Sequence, residues 1–207
     1  RYGSALGLAL FVFLQSGFIQ RGSAQNFANG VIVGTVVAPE IWEASGLVAS
    51  RQNPGVLWIH NDSGFPGNVF AVSTNGSLLA RYYEPSIFWG DFEDIAIGPG
   101  STPEAQYIYL GDIGDNFSSR ASIWVYRFPE PAVYSYQASN PRVDPFVGTQ
   151  AIELVYSDGS YNAEALMVDP ITGDLFIATK NDTGSRIYRA SRAQLDRGGL
   201  VTLTFIR

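Results

Sequence analysis

The sequence predicts an all-β protein, and within that class a β-propeller of which about three four-stranded blades are present; the alternative, a β-sandwich, would not explain the repeat described next. Three times a glutamate is followed, at an almost constant distance, by Asp-x-Gly; the pairs are Glu43 with Asp62, Glu93 with Asp112, and Glu164 with Asp182. Eleven Tyr, 13 Phe and 4 Trp favour strands, while 22 Gly and 11 Pro supply turns. A repeated unit that cannot bury its own faces is typical of stacked or radial architectures.

The blades are predicted to start near residues 43, 93 and 164, where apolar runs alternate with turn residues. The first unit is expected to hold strands at 45–49, 56–60, 69–72 and 77–83. The second is expected at 95–97, 107–110, 123–128 and 151–156, and the third at 165–168, 175–179, 187–190 and 201–206. A β-branched run at 31–37 predicts one strand more, and only residues 192–197 suggest a helix.

Residues 1–24 have the pattern of a signal peptide. The apolar run at 5–14 is too short to span a bilayer, and Gly22-Ser23-Ala24 offers small residues for cleavage. We expect export to a secreted or periplasmic location, with a buried helix or an uncleaved anchor as alternatives. Residues 25–207 then form a partial propeller domain without a stable membrane span. Because there is no initiator Met and the chain ends inside a β-rich run, we expect a fragment of a longer protein.

The repeated acids are predicted to meet at one end of the sheets. Each Glu stands before the first strand of its unit and each Asp follows the second strand, which runs antiparallel to the first. The start of one strand and the end of its antiparallel neighbour lie side by side. The three pairs are therefore expected on one face, near the mouth of the channel.

Carboxylates that converge repel one another unless they are protonated or bind a cation, and calcium prefers six to eight oxygen ligands. The sequence thus predicts a calcium site. Its candidate ligands are Glu43, Glu93, Glu164, Asn61, Asn181, Asp62, Asp112 and Asp182. Alternatively, each Asp-x-Gly only bonds its own loop in an Asx-turn.

Two further residues are candidates for catalysis because each is the single example of its type. His60 is the one histidine and Lys180 the one lysine. His60 could move a proton, although a histidine after an apolar run is more often packed and hydrogen-bonded. Lys180 could contact a phosphate or carboxylate. A net charge of −6 and a pI near 4.7 argue against nucleic-acid binding.

Several motifs resemble those of the SdiA-regulated and phytase-like group of secreted propellers, over roughly residues 40 to 190. They are EASGL at 43–47, WIHNDSG at 58–64, DFEDIA at 91–96, GDIGDN at 111–116 and YRFPEP at 126–131. The resemblance implies a six-bladed ring, export and calcium near the channel. Phytases of this type bind phosphate with clustered basic residues, for which only Lys180 and Arg186 are present. Propeller lactonases use a central metal with acidic and Asn ligands, which Glu43, Glu93, Glu164, Asn61 and Asn181 match in part.

Two functions follow as hypotheses. The first is a metal-dependent hydrolase of a phosphoester or lactone. The second is a non-catalytic propeller that presents its loop face to a protein or glycan. In either case we expect a monomer.

Overall fold

The computed structural model describes residues 29–62, 67–87, 90–181 and 184–207. The predicted signal peptide, residues 1–24, and the predicted ligand Asp182 lie outside these ranges. All thirteen strands belong to one compact unit, Ile32–Arg207. The prediction of an all-β protein is confirmed.

The strands form three antiparallel meanders of four strands each. Meander 1 contains β1 (Ala44–Ala49), β2 (Val56–Asn61), β3 (Asn68–Ser73) and β4 (Leu78–Tyr83). Meander 2 contains β5 (Phe92–Pro99), β6 (Gln106–Asp112), β7 (Ile123–Pro129) and β9 (Gln150–Tyr156). Meander 3 contains β10 (Ala163–Val168), β11 (Leu175–Thr179), β12 (Ile187–Ala190) and β13 (Leu200–Phe205).

The meanders are joined into two sheets through their outermost strands. The fourth strands of meanders 2 and 3, β9 and β13, pair in parallel and give an eight-stranded sheet. Meander 1 gains a fifth strand, β8 (Arg142–Pro145), which lies parallel to β4. The first strands also adjoin, since β5 contacts β1 on one side and β10 on the other.

Meander 2 is covered on both faces. Ile108 and Leu110 pack in a cluster with meander 1, while Tyr107 and Tyr109, on the alternate face of β6, pack in a second cluster with meander 3. Because side chains alternate along a strand, a strand covered on both faces needs an unbroken apolar run. This explains the run at 107–110.

The excursion between β7 and β9 ties meander 1 to meander 2. It carries a 3₁₀ turn (Ser135–Ser139) and β8, which the sequence did not predict. The buried Glu130 carboxylate begins this segment and accepts a hydrogen bond from Trp58 Nε1 (2.8 Å). Asn53 adds two further links, from Nδ2 to Pro131 O and from Val133 N to Oδ1, both 2.9 Å.

Two sequence expectations outside the sheets have opposite outcomes. The helix α1 (Arg192–Arg197) is present, capped by Ser191, whose side chain accepts from Gln194 N. The prediction of a strand at 31–37 is wrong. This β-branched segment pairs with no strand of the described residues, and most of its side chains are exposed. In the described part of the chain, no helix combines the length and apolar character needed to cross a bilayer.

One partly buried carboxylate, that of Asp94, fastens β5 to β10. Asp94 Oδ1 accepts from Ile95 N and Oδ2 accepts from Leu166 N, each at 2.8 Å. On the other side, Ser45 Oγ of β1 donates to Glu93 O at 2.9 Å. The first strands β1, β5 and β10 do not pair in a ladder; side-chain hydrogen bonds link each to its neighbour.

We expect Asp94→Ala to lower the free energy of unfolding by about 2 to 3 kcal/mol, because two N–H groups lose their acceptors. Asp94→Asn keeps one acceptor and should cost about half as much. Urea unfolding of the three proteins measures this. No measurable loss in Asp94→Ala would show that the link between the strands contributes little.

Candidate functional site

Each first strand contains a β-bulge close to its N-terminal end. The ladder shifts between Ala44 and Leu47 in β1, between Phe92 and Asp94 in β5, and between Ala163 and Ala165 in β10. Glu93 and Glu164 are the extra residues of the second and third bulges. A bulge re-aims the side chain it adds, so these two glutamates occupy equivalent positions.

The first glutamate of the repeat lies in a different position. Glu43 O accepts from Asp62 N (2.9 Å), just as Asn162 O accepts from Lys180 N (2.9 Å). In meander 2 the matching acceptor is Asp91 O, which binds Gly114 N at 3.1 Å. Glu43 is therefore equivalent to Asp91 and Asn162, not to Glu93. The predicted equivalence of the three glutamates is wrong for the first, because Glu43 precedes the bulge of its strand, whereas Glu93 and Glu164 are the residues that their bulges add.

Three carboxylates nevertheless converge at this end of the sheets. Oxygen atoms of Asp62, Asp91 and Glu93 all lie within 4.8 Å of one another. Asp62 follows β2, Asp91 precedes β5, and Glu93 is the bulged residue of β5. Asp62 O also accepts from Phe92 N (2.9 Å), which holds the two segments together. The sequence did not assign Asp91 to the site; its equivalence to Glu43 was the available signal.

Glu164 extends this carboxylate triad towards meander 3. It lies close enough to Glu93 to raise the pKa of that carboxyl group. Its Oε1 accepts from Lys180 Nζ at 2.8 Å, in a partly exposed ion pair. Glu43 is close enough to Asp62 to act on its charge. Five carboxylates and one ammonium group therefore share the region.

Burial and mutual repulsion make this region electrostatically unfavourable. Burial, followed by repulsion from Glu164, raises the pKa of Glu93 to about 8. Burial also raises the pKa of Asp62 and of Asp91, with smaller contributions from neighbouring carboxylates. For Lys180 a raised pKa favours the charged form: its hydrogen bond to Glu164 raises the pKa of the ammonium group and keeps it protonated. Protonation or a bound cation would relieve the repulsion.

Two of the predicted metal ligands, Asp112 and Asn61, accept hydrogen bonds from backbone N–H groups instead. Asp112 Oδ1 accepts from Asp91 N at 2.9 Å, and both its oxygens bind the Arg120 guanidinium, at 2.7 and 3.0 Å. Asn61 takes the same position in meander 1, where Oδ1 accepts from Glu43 N at 3.4 Å and Nδ2 donates to Glu40 O at 2.9 Å. The structure does not bring either side chain into the triad. Asn181 is exposed at the end of β11.

His60 is fully buried, and both ring nitrogens are occupied. Nδ1–H donates to Asn61 O at 2.8 Å, and Nε2 accepts from Gly46 N at 3.0 Å. The second bond satisfies an N–H that the bulge of β1 removes from the ladder. Burial lowers the pKa of His60 to about 4, so the ring is neutral at pH 7. These contacts support a structural role for this residue.

Glycine is required where the chain passes the carboxylates. A Cβ on Gly114 would collide with the side chains of Asp91 and Glu93. One on Gly46 would collide with His60 Nε2. Both glycines therefore let backbone approach the buried polar groups of the first strands.

Comparison with known proteins returns no match to a family model, a curated protein or a solved structure. The resemblance to secreted propellers stays a prediction from the motifs. The geometry above is what supports a function.

Because the folded-state pKa of Glu93 is raised, its ionisation destabilises the protein. In EDTA we expect the contribution of Glu93 to the free energy of unfolding to fall as pH rises from about 4.5 towards about 8, so that the wild type becomes less stable relative to Glu93→Gln. Glu93→Gln should remove most of that slope. Chemical denaturation at several pH values measures it, and an unchanged slope in the variant would contradict this assignment.

The lowered pKa of His60 acts in the opposite direction. The unfolded state takes up the proton first, so the contribution of His60 to stability is lost as pH falls from 6.5 through about 4. We expect this contribution to fall by about 2.5 kcal/mol between pH 7 and pH 4.5. The difference in free energy of unfolding between the wild type and His60→Gln should therefore change by about that amount, measured by urea unfolding of both proteins at both pH values. An unchanged difference would mean that His60 does not titrate there.

Proposed function

We propose that this chain is part of an exported, six-bladed β-propeller that binds calcium at the carboxylate triad and hydrolyses a phosphoester or a lactone. The observation that carries the proposal is the convergence of Asp62, Asp91 and Glu93 oxygens within 4.8 Å. Export and the number of blades rest on the sequence motifs alone.

The packing of the meanders supports the propeller. Three meanders of the same strand order lie face to face, with meander 2 covered on both sides. Their first strands adjoin, as in neighbouring blades. The ladder between β9 and β13 is not a propeller feature, since it merges meanders 2 and 3 into one eight-stranded sheet. In a propeller the first strands line the channel, which would place the triad at its mouth.

The donor set fits calcium. Ca–O distances of 2.3 to 2.6 Å allow two ligand oxygens of one ion to be up to about 5 Å apart. The spacing of the triad is within that limit. Glu164 and Glu43 border the triad, and calcium would accept waters at the positions that protein oxygens leave free.

When bound, the ion would polarise the scissile oxygen or activate water. The protein would contribute fixed charges around it. Lys180, held by Glu164 at 2.8 Å, places one positive charge at the edge of the triad. His60 has no nitrogen available for substrate without losing a backbone hydrogen bond, so proton transfer would fall to the carboxylates.

A recognition role without catalysis is favoured by a different feature. Tyr134 and Tyr136 are exposed and stacked, with ring centroids 5.5 Å apart. Tyr134 lines a cleft of about 570 Å³ with Tyr82 and Phe146. This surface lies at the Pro129 end of β7, opposite the carboxylates, and is of the kind that binds a glycan or a peptide.

We expect calcium to raise the melting temperature of the mature, full-length protein by about 5 to 10 °C over EDTA, at a concentration about 100 times the dissociation constant. A variant with Asp62→Asn, Asp91→Asn and Glu93→Gln should lose the shift. Glu104→Gln, an exposed acid in the β5–β6 turn, is the matched control and should keep it. Equal melting in EDTA and calcium would reject the metal site and favour the recognition role.

A further inference from the structure

A cleft of about 470 Å³ adjoins the carboxylate triad. Asp91 belongs to both, so the cleft opens directly beside the proposed calcium site. The lining residues that matter here are Asp91, Asp112, Asp115, Phe117 and Arg120. The loop that follows β6 supplies most of them.

This loop exposes an aromatic side chain on a well-bonded backbone. Asp115 Oδ2 accepts from Arg120 N and Asp115 O accepts from Ser118 N, both at 2.8 Å. Asn162 Oδ1 in turn accepts from Asp115 N at 2.7 Å. Ser118 adopts a left-handed conformation with φ of 48°, which is costly for a residue other than glycine. The result is a Phe117 side chain that is 91 % exposed on the cleft wall.

A large apolar side chain left in water forgoes the free energy that its burial would contribute. Local strain in a loop that is otherwise well bonded points to a constraint other than folding. Neither feature improves the packing of meander 2. Both are accounted for if Phe117 is covered by a ligand in the cleft.

The charges around the cleft select the ligand. Arg120 is engaged by both oxygens of Asp112, which leaves the carboxylates of Asp91 and Asp115 in excess. In the neighbouring region five carboxylates face one lysine, so a divalent cation would still leave negative charge. A phosphate dianion would enter an unfavourable field, whereas a neutral carbonyl compound would not.

We propose that this cleft is the substrate subsite of the hydrolase. It would bind the aromatic or bulky apolar arm of a neutral ester or lactone against Phe117, with the ester group at the Asp91 end. The inference rests on the proposed function and narrows its substrate from phosphoesters or lactones to uncharged carbonyl esters.

The test measures binding and does not depend on turnover. A phenyl-substituted δ-lactam is neutral and resists hydrolysis; titration calorimetry in millimolar calcium gives its dissociation constant. We expect Phe117→Ala to weaken phenyl-lactam binding about tenfold, the effect of losing one aromatic contact. Binding of the unsubstituted lactam and the calcium-induced rise in melting temperature should not change. Ile171→Ala removes an equally exposed apolar side chain from the β10–β11 turn and is the matched control.

Phenyl phosphate separates the two substrate classes, and we expect it to bind at least ten times more weakly than the phenyl lactam. Tighter binding of phenyl phosphate would overturn the inference, as would equal lactam binding by Phe117→Ala and the wild type, or no lactam binding at all. The failure of the metal site is distinguished by melting temperature. If calcium gives no shift but Phe117→Ala still weakens lactam binding, the metal-dependent function fails and the cleft is a binding site for neutral aromatic compounds without that function.

Discussion

The bulges of the three first strands are the constraint on which this arrangement depends. A bulge takes N–H groups out of the ladder, and in a buried strand each must find another acceptor. His60 accepts from Gly46 N, while Asp94 accepts from Ile95 N and from Leu166 N. His60 thus repairs the ladder within meander 1, while Asp94 repairs that of β5 and also joins meander 2 to meander 3.

The same bulges create the electrostatic conflict at the ends of the sheets. The extra residues they insert are Glu93 and Glu164, which turn towards Asp62 and Asp91. Around them, Asp112 is neutralised by Arg120 and Glu164 is paired with Lys180. Asp62, Asp91 and Glu93 share no such cation among the described residues, and at these three carboxyl groups burial raises the pKa. The unfavourable electrostatic interaction is therefore concentrated at these three carboxyl groups, and a proton or a bound cation would relieve it.

The sequence predicted most strands because their signals are local. Apolar runs bounded by Gly, Pro and Asn predicted eleven of the twelve meander strands closely at both ends, and β5, which starts earlier, in its central part. The site was predicted only in part, because the place of a residue before or within a bulge decides which residues it faces, and the spacing of residues along the chain does not reveal that place. Spacing along the chain paired Glu43 with Glu93, whereas hydrogen bonding pairs Glu43 with Asp91. β8 was missed because it is short, mostly exposed and ends in Pro145, and because its partner β4 lies far earlier in the chain.

The position of β8 has a consequence for how the protein is made. During synthesis meander 1 emerges first, but the strand that covers its outer edge is translated only after three strands of meander 2. Until then β4 presents a row of unpaired backbone groups, which is a template for association with other chains. Glu130, which is buried against Trp58, also arrives late. Meander 1 therefore completes its folding only together with meander 2. A truncation placed between β7 and β8 would leave the edge strand β4 unpaired and prone to aggregation.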